Sequence, residues 1–382
     1  MLSGSGPKGA LISLKGQVWL LAKVVTAYIG AVIGAGFASG QEIMQFFILH
    51  GASGLKGVAL ATALFAYLGG YVMFLCTSLK STGYKEILTL LLGSRVGKVI
   101  DILNLCMLLA GLSVMLSGSA AVFGEQFGLP ARAGVLVVAT LTAMVILGGL
   151  DGVLTANVFM VPLKFLAVSL ISLAALRLGG GPVNLEPVVP AAAGVAGHWA
   201  VAGLLYVSYN MVVPVAVLSS LGRMVPRKIG VAGGVLGGLL LGAAVCLVTL
   251  AGLRHFPEAS TYQIPLLYLA GRLGYGFQQA LGLLIWLAIL TTAIAQAHGF
   301  ASRLAGGALK PYRIFGVGAC LLALPLSGFS FAALVRLLYP LFGCVGLALL
   351  LALLAAPFSK FFRRPEKMLH IIKRFNIINR KI

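Results

Sequence analysis

The chain has 382 residues, of which 60% are apolar and 9% charged, with a formal net charge of +20. A soluble domain carries about 25% charged residues, so a water-facing surface cannot be assembled from this composition. That excludes a soluble globular enzyme, a disordered chain and a fibrous protein. It leaves a polytopic membrane protein whose basic residues fall between apolar runs instead of forming a patch for nucleic acid.

Residues 1–17 hold Lys8 and Lys15 among small residues and read as a cytoplasmic N-terminal segment, with no apolar core leading to a cleavage site. Ten apolar runs follow, over roughly 18–49, 54–79, 97–123, 131–149, 152–176, 196–221, 229–253, 276–304, 312–328 and 329–357. A spanning helix needs about 20 such residues, and runs this long are not strands. The expected fold is therefore all-α with ten transmembrane helices. The runs divide into a first set of five over 18–176 and a second over 196–357, joined by an extracellular connection at 177–195. Residues 358–382 form a basic tail in which Met368, Ile371, Ile372, Phe375 and Ile378 recur at helical spacing. That pattern predicts either an amphipathic cytoplasmic helix on the anionic inner leaflet or a frayed basic end. Lys80, Lys85, Arg95, Lys98, Arg223, Arg227, Lys228, Arg303, Lys310 and Arg313 share a side with both termini, which places N- and C-termini in the cytoplasm and the chain in the plasma membrane.

Two runs are interrupted. The first contains Gly34-Ala35-Gly36-Phe37-Ala38-Ser39-Gly40, and the sixth contains Tyr206-Val207-Ser208-Tyr209-Asn210-Met211 followed by Pro214. These occupy corresponding places in the two sets of five. Because five is odd, the second set enters the membrane from the opposite side, giving a five-plus-five inverted repeat with helices 1 and 6 broken. Paired broken helices mark a transporter's binding site. By contrast, Gly230, Gly234, Gly238 and Gly242 recur every four residues and read as a stripe for helix packing.

Glycines within a span expose amides and carbonyls that must find partners. An outgoing half-helix starting near Ser39 would offer amides to a carboxylate, and an incoming one ending near Ile33 would offer carbonyls to a cation. Close helix packing is the other reading. Ser39-Gly40-Gln41-Glu42 fits a capping box, while a carboxylate within a span also serves as a gate or protonatable group. Lys164 lies near the middle of the fifth run, where an ammonium costs about 3 kcal/mol. It reads either as a proton-coupling group or as a fixed counter-charge. Thr291 and Thr292 are adjacent in the eighth run and suit either a sodium site or bonds to their own backbone. The histidines form no metal spacing, and no phosphate-binding loop is present.

Ile29-Gly30-Ala31-Val32-Ile33-Gly34-Ala35-Gly36-Phe37-Ala38-Ser39-Gly40-Gln41-Glu42 resembles the first broken helix of YkvI-type bacterial membrane proteins, which belong with the amino acid–polyamine–organocation transporters of LeuT-like architecture. The resemblance implies that the amides of Ala35 and Gly36 hold a substrate carboxylate. It also implies a sodium site built from Gly30 and Ile33 with Ala288, Thr291 and Thr292, a position that a helix 5 lysine such as Lys164 takes in proton-coupled relatives. The helix 3 tyrosine found in some relatives has no counterpart between residues 97 and 123. The expected protein is an ion-coupled secondary transporter of a small amino acid or related carboxylate, with H+ or Na+ as coupling ion and no other cofactor. Gly34, Ala35, Gly36, Phe37, Ala38, Ser39, Gly40 and Glu42 would face Tyr206, Ser208, Tyr209 and Asn210 across the substrate. The rival reading is a ligand-sensing receptor subunit that binds on the same scaffold without transporting.

Overall fold

A computed structural model describes residues 14–80, 84–148, 151–178, 183 and 197–358. The N-terminal segment up to residue 13, most of the 177–195 connection and the tail from residue 359 lie outside the described residues, and with them the expected amphipathic tail helix.

Every regular element among the described residues is helical. The first run divides into α1 (Leu14–Val32), α2 (Ala35–Ser39) and α3 (Gln41–Phe46). After it come α4 (Ala52–Leu79), α5 (Tyr84–Phe127), α6 (Ala131–Gly148) and α7 (Asp151–Leu178). The second set comprises α8 (Trp199–Ser220), α9 (Arg227–Arg254), the short α10 (Pro265–Leu273), α11 (Tyr275–Ala305), α12 (Leu309–Ala323) and α13 (Phe331–Ala355). Gly93, at φ 75°, interrupts α5, and the membrane-crossing part starts at Val96.

Nine helices among the described residues are long and apolar enough to cross a membrane, and they coincide with the second to tenth runs. The first run is not one of them: it is divided at Gly34 and Gly40, and its longest piece, α1, carries Lys15, Gln17 and Lys23. Between the two sets, α1 packs against α8 and α9, α4 against α9 and α8, and α5 against α11. On α9, Gly230 faces Met73, Gly234 the backbone of Gly69, Gly238 that of Ala66, and Gly242 Thr62, all on α4. A β-carbon at any of the last three would overlap α4, so the stripe sets how closely the two helices approach.

The expected break in helix 6 is absent, since α8 runs without interruption from Trp199 to Ser220. Its polar residues bond back into helical structure. The Ser208 hydroxyl donates to the Leu205 carbonyl at 2.8 Å, and the Asn210 amide donates to the Tyr206 carbonyl at 3.0 Å. Such bonds let polar residues sit within a helix without unwinding it. Pro214 removes one N–H from the ladder but does not end the helix.

Candidate substrate and coupling site

The site forms where the first run breaks. The Ile33 amide still donates to the Ile29 carbonyl at 2.8 Å, and Gly34 then turns extended, with φ −87° and ψ −169°, to cap α2. The outgoing helix thus begins at Ala35 and not near Ser39. A second turn follows at Gly40, whose φ of 81° starts α3; this left-handed conformation suits glycine. The Gly40 turn also displaces the capping box. The Ser39 hydroxyl donates to the Gly36 carbonyl at 2.7 Å and accepts from the Gln41 amide at 3.2 Å, so it caps neither the third position nor Glu42.

One face of the break belongs to Lys164. Its side chain is buried on α7, two residues after Pro162, and its ammonium donates to the Ile33 carbonyl at 3.3 Å. That carbonyl is one of those orphaned by the break, so the lysine stands where a coordinated cation was expected. Gly30 lies one turn earlier against Val161 of the same α7 helix. On α11 the hydroxyls of Thr291 and Thr292 both donate to the Ala288 carbonyl, at 3.2 and 2.7 Å, within their own helix.

The other face is organised by Glu42, which is 4% exposed. The Tyr209 hydroxyl from α8 donates to its carboxylate at 2.7 Å, and the Tyr339 hydroxyl from α13 lies beside it over Gly36. The carboxylate folds back over Gly36, where a β-carbon would overlap it and approach the Tyr339 hydroxyl to 2.9 Å. The surface of α2 expected to receive a substrate carboxylate is therefore covered by the chain's own carboxylate. Phe46, Tyr206 and Tyr209 pack around this point with ring centroids 5.5 to 5.8 Å apart. Tyr339 has no polar neighbour in sequence closer than Arg336, one turn earlier, and Pro340 beside it interrupts the ladder.

Of the other expected residues, Ala35, Phe37, Ala38 and Ser39 are buried, while open space lies beyond the Cα of Gly34. The single Ser208 hydroxyl proton is shared between the Leu205 carbonyl of its own helix and the Gly343 carbonyl of α13 at 2.7 Å, so it ties two helices together. Over the break sits α10, with Leu266 about 3.0 Å from where a β-carbon on Gly40 would lie. The segment leading into α10 is held by Glu125, near the end of α5, which accepts from the amides of Gln263 at 2.6 Å and Ile264 at 3.1 Å. The Gln263 side chain then accepts from the Phe331 amide at 2.8 Å. Near the opposite end of the crossing part of α5, Asp101 pairs with Arg303 of α11 at 2.6 Å.

A bundle of apolar helices around one interrupted span, with a buried acid and a buried base at the interruption, defines a polytopic membrane protein. The solved structures agree: a manganese transporter of Eremococcus coleocola superposes with a TM-score of 0.61 at 11% identity, covering 93% of this chain and 82% of that one. The inward-facing form of Mhp1 gives 0.60 at 11% identity, covering 87% and 75%. These likenesses establish a LeuT-type fold. No protein-family model matches the sequence. The chain belongs to the YkvI family: it is 30% identical over 331 residues to the uncharacterized membrane protein YkvI of Bacillus subtilis, covering 86% of this chain and 93% of that protein. It is also 29% identical over 351 residues to the uncharacterized protein YyaD of the same organism.

Proposed function

We propose that this chain is an ion-coupled secondary transporter that moves a small amino acid or related carboxylate across the plasma membrane by alternating access, with both termini cytoplasmic. The observation that carries this reading is the hydrogen bond from the Lys164 ammonium to the Ile33 carbonyl, at the point where the first helix opens. A charged group so deep in a membrane protein is costly and marks an ion or proton pathway. While protonated, Lys164 ties α7 to the end of α1; loss of the proton removes the charge that holds the two together. Proton movement thereby acts on the interface that must change during alternating access. The pairing of α1 with α8, α4 with α9 and α5 with α11 supports two five-helix halves. On this reading the two halves correspond in packing and not in local shape, since only the first of the two corresponding helices is broken.

The test is uptake of radiolabelled amino acids into proteoliposomes under an imposed proton or sodium gradient. We expect an inward proton gradient to drive uptake, and Lys164→Ala to lose that drive while still exchanging substrate across the membrane. Uptake that follows sodium and ignores Lys164→Ala would move coupling to Gly30, Ile33, Ala288, Thr291 and Thr292. Ligand-induced stabilisation with no uptake and no exchange would replace the transporter by the receptor reading.

A further inference from the structure

We propose that Glu42, enclosed by Tyr206, Tyr209 and Tyr339, is the subsite for a protonated amine on the cargo. The proposal rests on the transporter reading above and narrows its substrate class to molecules that carry an ammonium.

The argument begins with charge. A carboxylate within a span is expensive and is ordinarily matched by a cation. Among the described residues the one salt bridge is Arg303 with Asp101, and the buried base, Lys164, is bound to the Ile33 carbonyl. Glu42 instead receives the Tyr209 hydroxyl at 2.7 Å, with the Tyr339 hydroxyl close beside it. Hydroxyl donors share the charge without cancelling it. They sit where the N–H groups of an ammonium would sit, so the arrangement is that of a cation site closed on itself.

The surroundings point the same way. The rings of Tyr209 and Tyr339 lie 5.3 Å apart and tilted, and those of Tyr206 and Tyr209 lie 5.7 Å apart and perpendicular. Aromatic faces attract an ammonium within about 6 Å. The Tyr206 hydroxyl, on a residue that is 0% exposed and packed edge-on to Tyr209, is buried without a hydrogen-bond partner. A buried hydroxyl left unmatched is costly. An ammonium, with three donors and no acceptor, is the group that matches a carboxylate walled by phenols. A bare carboxylate cargo would meet repulsion at the same point. One carboxylate among phenols also suits an organic cation better than a divalent ion, which collects several carboxylate or carbonyl oxygens.

The experiment measures thermal stabilisation of the full chain in detergent by shape-matched probes: L-alanine against L-lactate, propylamine against propionate, and manganese chloride. We expect alanine and propylamine to stabilise the protein, and lactate and propionate to do so at least about ten-fold more weakly in half-saturating concentration, the factor that 1.4 kcal/mol represents. Glu42→Gln should erase that preference. Tyr339→Phe, which removes one competing hydroxyl and keeps the ring, should tighten propylamine binding by a few-fold. Equal stabilisation by the acids, or a preference surviving in Glu42→Gln, would overturn the amine subsite while leaving a transporter of carboxylates intact. Stabilisation by manganese alone, lost in Glu42→Gln, would replace the amine with a metal. If Glu42→Gln does not fold, weaker propylamine binding in Tyr339→Phe would also count against the proposal. Failure of every probe, together with absent uptake in the gradient assay, would bring down the transporter reading itself.

Discussion

The first and sixth runs face each other across the site and are built differently. Both carry polar and small residues mid-membrane, yet one opens into three short helices and the other stays whole. In the first run the weak points are glycines, which have no side chain to repair the ladder: Gly34 extends the chain and Gly40 reverses it. In α8 the polar side chains are their own repair, with Ser208 and Asn210 bonding to carbonyls within the helix. Polarity within a span is thus no measure of a break; what matters is whether the polar atoms can reach the backbone beside them. The intact helix also has a use, because it holds Tyr206 and Tyr209 at fixed positions against the acid of the broken one.

Substitutions at the break test the contrast most severely. Gly36→Val places a branched side chain on the Glu42 carboxylate and the Tyr339 hydroxyl. Overpacking of this kind costs about 1–3 kcal/mol, and the acid must also leave its partners. We expect a melting temperature lowered by several degrees in thermal unfolding, and no measurable uptake. Gly40→Ala should be milder. An alanine at φ 81° loses about 1–2 kcal/mol to backbone strain, with Leu266 about 3.0 Å from the new methyl group. Its expected signature is a smaller fall in melting temperature with binding retained. Wild-type stability in Gly40→Ala would show that the turn into α3 is not held as described.

Much of this was legible in the sequence, for a physical reason: apolar length and glycine placement act locally. Nine spans and the site of the break follow from them. The depth of Lys164 was legible too, since a lone ammonium inside an apolar run is too costly to sit there without a polar partner. Its partner was not, because the Ile33 carbonyl looks like any other until α7 packs beside it. Ser39 and Glu42 have the spacing of a capping box, but the left-handed Gly40 starts α3 one residue later than that spacing requires, and Glu42 goes to Tyr209 instead. Tyr339 could not be singled out, as a lone tyrosine among leucines one turn after Arg336 looks like any other core aromatic. The polar content of residues 206–211 was overread because a sequence gives the side-chain donors without showing where they bond.

The smallest effect expected comes from the intact helix. Pro214 supplies no N–H to the carbonyl of Asn210, so α8 carries one weakened point a turn beyond Tyr209 and Asn210. Pro214→Ala restores that donor, which is worth about 1 kcal/mol or less. If α8 acts as a rigid mount for the tyrosines, the variant should melt slightly higher and transport at the wild-type rate. If instead the helix bends there as the site opens, the same substitution should raise the melting temperature and slow uptake together, with amine binding unchanged. Measuring both quantities on one preparation separates the two, because a proline that only weakens the helix has no means of altering the rate. A slower rate would mean that the sixth run does carry a break, one expressed in motion and not in the resting helix.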